Sequence, residues 1–529
     1  MTRRRLMLKT AVAAAGLGAV LAFPGVAAAS PGEESGHRPA TGARADTSAP
    51  SRSPASRHPG RSQTRSQTPS GGASTVKAGR AARVGVPRTS TAPGSFLGPS
   101  LGAPVAAVRP PGPIRAAVLA MQAYVYGYPL LDFEKFRAGA TSLNAITLRT
   151  SFADPDGVPI WRPNADTFYS RAVLDLSSGP VVLSIPDMGD RYFSFQLIDP
   201  YTNVISYIGA RATGSGPGTF VITWDGGPPI PIADQTPDAQ TVTVPYRNIL
   251  VLGRTLAGDP ADQVQAVALM NQFRLTPSGP AAAPPAVTAD VTGLALLDAV
   301  SAAMELHPPS AVDAVRLAAL SQIGVGPGMR VAEANLGPVA TLAADLAVRA
   351  AVALLPVLSG LVQYDSALMN RGWALTDPDI GHYGTDYQLR AGVAFVGPWA
   401  NIPDEAVYSA GLLDRYLLPL NGSHSYVMHF APGQEPPAGA FWSVTVYDPS
   451  GGFVRNPLNR YSVSSSRPGE LVHRPDGSVD IIFSEQDPAD PDANWLPVPA
   501  GGFSAYLRVY VPGQAVLDGS WTPPPIERL

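Results

Sequence analysis

Strand patterning occurs twice in this chain, on either side of a helical block, and that order limits the fold more than any other feature. Residues 167–176, TFYSRAVLDL, alternate with Phe168, Ala172, Leu174 and Leu176 on one face, the two-residue period of a half-buried strand. GPVVLSIPD, RYFSFQLIDP, GTFVITW and QTVTVPY follow, separated by Gly, Pro and Asp. Residues 255–360 then read ADQVQAVALMNQF, VTGLALLDAVSAAMEL, AVDAVRLAALSQI and ATLAADLAVRAAVALL, all with a helical period. After about residue 400 strands return in HSYVMHF, AFWSVTVYD, VDIIFSE and GFSAYLRVYV. HRPDGSVDII carries a hairpin signal, Asp476-Gly477 at a turn. Blocks of short strands on either side of helices predict an α+β chain with two antiparallel β-sandwich or jelly-roll-like domains joined by a helical segment.

The expected divisions are a signal peptide over 1–29, a Ser/Pro/Arg-rich disordered linker over 30–112, and a helix plus sandwich over 113–254. A helical segment over 255–375 and a second sandwich over 376–529 complete the chain. The two β blocks also echo one another. RYFSFQLIDPYTN (191–203) and AFWSVTVYDPSGG (440–452) both run aromatic pair, Ser, alternating strand and Asp-Pro turn, and both precede Asn and Arg residues. The echo is either a duplicated sandwich or two strands ending in the same turn chemistry.

The N-terminus, TRRRLMLKTAVAAAGLGAVLAFPGVAAAS, has a basic head, an apolar run too short for a stable anchor and an A-x-A site before Ser30. Thr2-Arg3-Arg4-Arg5-Leu6-Met7 resembles a twin-arginine signal, so the expected destination is secreted or associated with the cell envelope, with no transmembrane anchor. Residues 30–112 hold eleven basic and three acidic residues and few bulky apolar ones, too few to offset ordering entropy. With four more basic residues in the leader and a total net charge of −3, residues 113–529 carry −15. A basic tail on an acidic body serves as a solvated spacer or as a contact to anionic envelope polymers. The acidic body argues against nucleic-acid binding.

Composition removes several chemistries. The chain has no cysteine, which excludes disulfides, zinc–thiolate sites and thiol nucleophiles. Lysines number three, Lys9, Lys77 and Lys135, which leaves one candidate for Schiff-base chemistry in the folded part. The histidines there (His307, His382, His424, His429, His473) show no metal spacing, so no metal or cofactor is expected. Asp377, Asp379 and Asp386, and likewise Asp487, Asp490 and Asp492, lie in turn-like rather than calcium-like runs. Gly98-Pro99-Ser100-Leu101-Gly102 matches the hydrolase nucleophile elbow, but Pro93, Pro99 and Pro104 deny it a flanking strand and helix.

RPNADTFYSR (162–171) is the first candidate site. Pro163 biases Arg162 to extended geometry, and Asn164 and Asp166 favour a turn. Tyr169, Arg171 and Asp175 share the strand face opposite Phe168 and Leu174. One reading is an Asx turn in which Arg162 or Arg171 pairs Asp166. The other is a polar patch of Arg162, Asn164, Asp166, Tyr169 and Arg171 for a small polar or anionic ligand. Asp386 and Arg390, beside Tyr383 and Tyr387, are its expected companions. Convergence of these residues in one pocket would mark an enzyme, and dispersed, locally paired positions a binder. The function expected first is an exported ligand-binding protein, with homo-oligomerisation open. The alternative is a secreted cofactor-independent hydrolase.

RPNADTFYS, RYFSFQLIDPYTNV, GARATGSGPGTFVI and NILVLGRTL resemble the bacterial domain of unknown function numbered 1254, with YVYGYPLLDF before it. YGTDYQLRAGVA, AFWSVTVYD, GFVRNPLNRYSV, NWLPVPAGGFSAYLRVYVP and LDGSWTPPPIE resemble its usual partner, numbered 1214. Gln388 stands where that family usually has an apolar residue. The resemblance covers roughly 115–529 and implies two sandwich-like domains around a helical segment, with no activity and no catalytic residue to carry over.

Overall fold

The computed structural model describes residues 110–156, 161–230, 238–282, 287–467 and 469–529. The expected leader, nearly all of the tail and the GPSLG match lie outside them. The first half opens with helix α1 (Pro113–Ala138). Strands β1 (Thr147–Arg149), β2 (Thr167–Asp175), β3 (Val181–Ile185), β4 (Phe193–Ile198), β5 (Val204–Gly209), β6 (Gly218–Trp224), β7 (Gln240–Val244) and β8 (Asn248–Leu256) follow. Helix α2 (Pro260–Met270) and β9 (Arg274–Pro277) complete it. Helices α3 (Leu294–Leu306) and α4 (Ala314–Leu320) lead to α5 (Pro338–Met369). Beyond α5 come β10 (Trp373–Ala374), α6 (Tyr387–Val396), β11 (Ala406–Gly411), β12 (Tyr426–Phe430), β13 (Ala438–Tyr447) and β14 (Ser462–Ser464). The second half closes with β15 (Val479–Ser484), β16 (Asn494–Pro497), β17 (Ser504–Pro512), α7 (Gln514–Leu517) and β18 (Ile526–Arg528).

The two halves have one topology. The first pairs a sheet of order β1-β2-β8-β4-β5 with one of order β7-β6-β3-β9. The second pairs β10-β11-β17-β13-β14 with β16-β15-β12-β18, so every strand has a counterpart nine strands later. The sole parallel pairs among the described strands, β6–β7 and β15–β16, match as well. Each half begins with a long helix, α1 or α5, that has Gly at its N-cap, Pro at its start and a second Pro inside. Each also places a helix before its last strand. The strand echo of 191–203 and 440–452 therefore marks a duplicated architecture, with β4 matching β13.

Alternation builds each sandwich core. Phe168, Ala172 and Leu174 of β2 meet Val181 and Leu183 of β3 and Phe220 and Ile222 of β6. Trp442, Val444 and Val446 of β13 meet Met428 of β12 and Ile481 and Phe483 of β15. Each buried large side chain contributes about 1.5–3 kcal/mol. Helix α1 packs not on the first sandwich alone but into a helical layer. Leu119, Ala120 and Ala123 share a core with Leu297 and Val300 of α3 and Ala344 and Val348 of α5. Gly127 makes the close approach possible, since a Cβ there would lie 2.3 Å from Val300. Helix α5 is buried along one face only. The Asp476-Gly477 turn forms, with Gly477 at φ +85°, but its expected hairpin does not. The strand after it, β15, pairs with β12 and β16 instead.

The inner faces of the sandwiches are apolar, and the outer faces of the two five-stranded sheets turn toward each other. Tyr192, beside β4, touches the rings of Phe441 (β13) and Tyr510 (β17) at centroid distances of 5.7 and 5.3 Å. Most of the sequence-predicted polar stretch lies along this seam.

Candidate functional site

Asn164 forms the expected Asx turn, its Oδ1 accepting from the amides of Asp166 (2.6 Å) and Thr167 (3.2 Å). Its Nδ2 donates to the Tyr510 hydroxyl across the seam at 2.6 Å. Asp166 is fully buried. Its carboxylate accepts from Ser443 Oγ (2.6 Å), Ser462 Oγ (3.3 Å) and Arg467 Nη2 (3.4 Å), all from the second half. The expected pairing of Asp166 with Arg162 or Arg171 is thus replaced by Arg467, which the turn itself could not signal.

Arg162 is not extended, as Pro163 suggested, but left-handed at φ +50°. Its amide donates to Gly451 O at 2.7 Å, and its guanidinium lies over the rings of Trp161 and Tyr506. These contacts offset a backbone cost of about 1–2 kcal/mol. Burial pulls the Arg162 guanidinium below its ordinary pKa. Tyr447 donates to Pro163 O; burial pushes that phenol up to about 12, so it stays a donor. Arg171 is exposed over the Phe136 ring, away from Asp166.

Tyr169 opens the central feature of the seam. In register, Tyr169 of β2 and Ser194 of β4 flank Arg254 of β8. Tyr408 of β11 and Ser443 of β13 flank Arg508 of β17 in the same way. The two halves therefore carry the same Tyr–Arg–Ser rung, and both guanidiniums are buried. Arg254 donates to Gln196 Oε1 (2.8 Å), Asn401 Oδ1 (2.9 Å) and Trp399 O (3.0 Å). Arg508 donates to Thr445 Oγ1 (2.9 Å) and the Tyr447 hydroxyl (2.6 Å). Gln196 and Thr445 hold matching places after Ser194 and Ser443.

The buried carboxylates are reciprocal too. Asp166 and Glu405 each stand just before the second strand of their sheet, and their carbonyls accept from Ala257 and Val511, at matching places after β8 and near the end of β17, both at 2.9 Å. Asp166 is held by the second half. Glu405 is held by the first, through Tyr192 OH (2.8 Å) and Arg211 Nε (2.6 Å). Arg254, Arg508 and Glu405 escaped the sequence reading. The available signal was a lone cation inside each apolar nine-residue strand, NILVLGRTL and SAYLRVYVP.

Asp386 and Arg390 belong to another neighbourhood. Asp386 caps α6, accepting from the Leu389 amide at 3.2 Å. Arg390 is buried among the rings of Tyr126, Tyr201 and Tyr387 and donates to Tyr126 O at 3.2 Å. Tyr126 and Tyr387 donate to the two oxygens of buried Asp313 (2.9 and 2.7 Å). Nearby, buried Glu134 accepts from Arg137 and contacts His307 Nε2 at 2.7 Å. Burial would raise the Glu134 carboxyl, but His307 and Arg137 hold it down to about 2.

An open concavity lies elsewhere. A cleft of about 410 Å³ is lined by Ser206 and Tyr207 of β5, Arg211, Gln240 and Thr241 of β7 and, from the second half, His382 and Ile402. Its inner wall connects to the seam. The Tyr207 hydroxyl contacts Asn401 Oδ1 at 3.2 Å, the same oxygen that accepts from Arg254. The cationic groups of Arg211 and Arg254 thus stand beside and behind the cleft. Among the described residues Arg254 donates to neutral acceptors, Gln196, Asn401 and Trp399 O, so its field is not cancelled by a directly bonded carboxylate.

Among the described residues no group of three or more His, Cys, Asp or Glu could hold a metal ion. Asp377 and Asp487 instead accept from the amides of Asp379 and Ala489, and Asp490 from that of Asp492, as turns do.

Family models for a protein of unknown function, DUF1254, and another, DUF1214, match residues 143–277 and 405–514. The VPA0106 protein from Vibrio parahaemolyticus has a similar crystal structure, with TM-score 0.59 and 24% identity, over 78% of this chain and 100% of that one. An uncharacterized protein from Burkholderia cenocepacia matches with TM-score 0.39 and 13% identity, over 79% and 94% of the two chains. No curated protein matches the sequence significantly. The first β-rich half thus carries the match to the DUF1254 model and the second the match to the DUF1214 model, in the order in which the two resembled domains were expected.

Proposed function

We propose that this is an exported binding protein that holds a small polar ligand with an anionic group in the cleft at Arg211, His382 and Thr241. One observation carries the reading. The cleft has the size of a small-molecule site, its walls offer hydrogen-bonding groups from both halves, and the Arg254 guanidinium behind it, bonded to neutral acceptors, biases it toward anions. The residues that looked most like chemistry on a loop are engaged otherwise: Asp166 is tied into the seam and Arg390 into a tyrosine cage. Dispersed, locally satisfied polar groups favour binding over hydrolysis. Export rests on the basic-apolar leader with its arginine run.

The test is a thermal-shift and calorimetric screen of small carboxylates, phosphates and sugar acids. A ligand that binds the native chain and loses at least tenfold in affinity with His382→Ala or Thr241→Val supports the proposal. Turnover of a panel compound abolished by Asp166→Asn would replace it with the hydrolase reading.

A further inference from the structure

Helix α5 is apolar on both sides, and the described residues cover only one of them. Ala340, Ala344, Ala347, Val348, Ala351 and Leu355 are buried, within or beside the core shared with α1. The opposite side runs Val339, Leu342, Leu346, Ala350, Ala353, Val357, Leu361, Tyr364 and Leu368. The spacing alternates between three and four residues and keeps these positions on one stripe along a helix about 48 Å long. Val339, Leu342, Leu346, Val357, Leu361 and Leu368 are 40–68% exposed. The charged groups of the helix stand off the stripe, and Asp345 and Arg349 pair with each other at 2.8 Å. A helix apolar all round is a buried helix, and an exposed patch of this length marks an interaction surface.

We propose that this stripe is the interface of a homodimer in which two copies of α5 pack antiparallel. Reversed about its centre between Ala353 and Leu354, most of the stripe meets apolar side chains of its own helix, Leu342 opposite Asp365 being the exception. Val339 then faces Leu368, Leu346 faces Leu361 and Ala350 faces Val357, the self-complementarity that a two-fold interface requires. Small side chains at the centre allow close helix approach. Covering this stripe removes on the order of 600 Å² of surface per chain, close to the roughly 800 Å² per partner of a standard interface. A lipid surface fits less well. The stripe has no Trp, Lys or Arg to sit at headgroups, and residues 113–529 carry −15, which anionic lipid repels.

Because the chain has no cysteine, a single introduced thiol reads the geometry. Full-length chain is expected to sediment as a dimer, and Leu346→Glu with Leu361→Glu to halve its mass while leaving its circular dichroism unchanged. Ala353→Cys is expected to form a disulfide-linked dimer on mild oxidation, and Val264→Cys, an exposed control on α2, is not. A monomeric native chain at micromolar concentration overturns the proposal, as does a dimer that survives the double glutamate variant. Monomer that co-sediments with phosphatidylcholine/phosphatidylglycerol vesicles overturns it in favour of a lipid partner. Equal cross-linking of both cysteine variants counts against it as well.

Discussion

Replacing Asp166 with Ala strips the seam of a carboxylate that holds three groups of the second half. Two are the hydroxyls of Ser443 and Ser462 and the third is the guanidinium of Arg467. Each hydroxyl left without an acceptor costs about 1 kcal/mol, and the largely buried cation about 2 kcal/mol. A loss of about 4 kcal/mol is expected for Asp166→Ala. Asp166→Asn keeps the volume and one acceptor oxygen, so about 2 kcal/mol is expected there. Urea unfolding followed by both far-ultraviolet dichroism and tryptophan fluorescence measures the change. A double-mutant cycle with Arg467→Ala should give a coupling of about 1 kcal/mol or more, because the partners belong to opposite halves. A loss below about 1 kcal/mol for Asp166→Ala, with both probes still coincident, would refute the claim that this carboxylate ties the halves together.

Other perturbations follow from the same geometry. Glu405→Gln removes the reciprocal carboxylate from Tyr192 and Arg211 and should cost about 2–3 kcal/mol in the same assay. Tyr387→Phe leaves one oxygen of Asp313 without its hydroxyl donor, and a melting-point drop corresponding to about 1.5 kcal/mol is expected. The Glu134 carboxyl lies near 2, against an ordinary 4.5. The folded state therefore binds fewer protons than the unfolded one between those values. Its contribution, about 3 kcal/mol, is present above pH 4.5 and is lost as pH falls toward 2. Asp199 acts with the opposite sign: burial raises it to about 6, against the hydrogen bonds of Asn203. It adds stability as pH falls from about 6 to 4. Stability against pH should therefore peak near pH 4, where the two slopes cancel, and Glu134→Gln should flatten the acid limb alone.

How far the sequence reached follows from the range of each signal. Period-two alternation and Asp-Pro turns are local, so β2, β4, β13 and the Asx turn at Asn164 were legible. The echo of RYFSFQLIDP in AFWSVTVYDP was a true trace of the duplicated halves. Which strands become neighbours depends on the tertiary arrangement, so the expected hairpin at Asp476-Gly477 became a turn into a strand that pairs elsewhere. Helix α1 read as part of the first sandwich because its apolar face does not say what covers it; Gly127 against Val300 supplies that answer only in three dimensions. The polar character of RPNAD was visible, but its partners Ser443, Arg467 and Tyr510 lie about 280 residues or more away. Asp386 and Arg390 shared residue types with that stretch and nothing else. The cleft was invisible to the sequence reading because its lining comes from β5, β6, β7 and three connecting segments with no shared motif.

The central claim is that the polar seam joins the halves while the cleft beside it binds the ligand. Comparing ligand-induced melting shifts of the native chain, Asp166→Asn and His382→Ala tests it most directly. The account predicts a small anion that raises the melting temperature of the native and Asp166→Asn chains by equal amounts and leaves His382→Ala unmoved. A shift that survives His382→Ala and disappears with Asp166→Asn would contradict it and return the site to RPNADTFYSR.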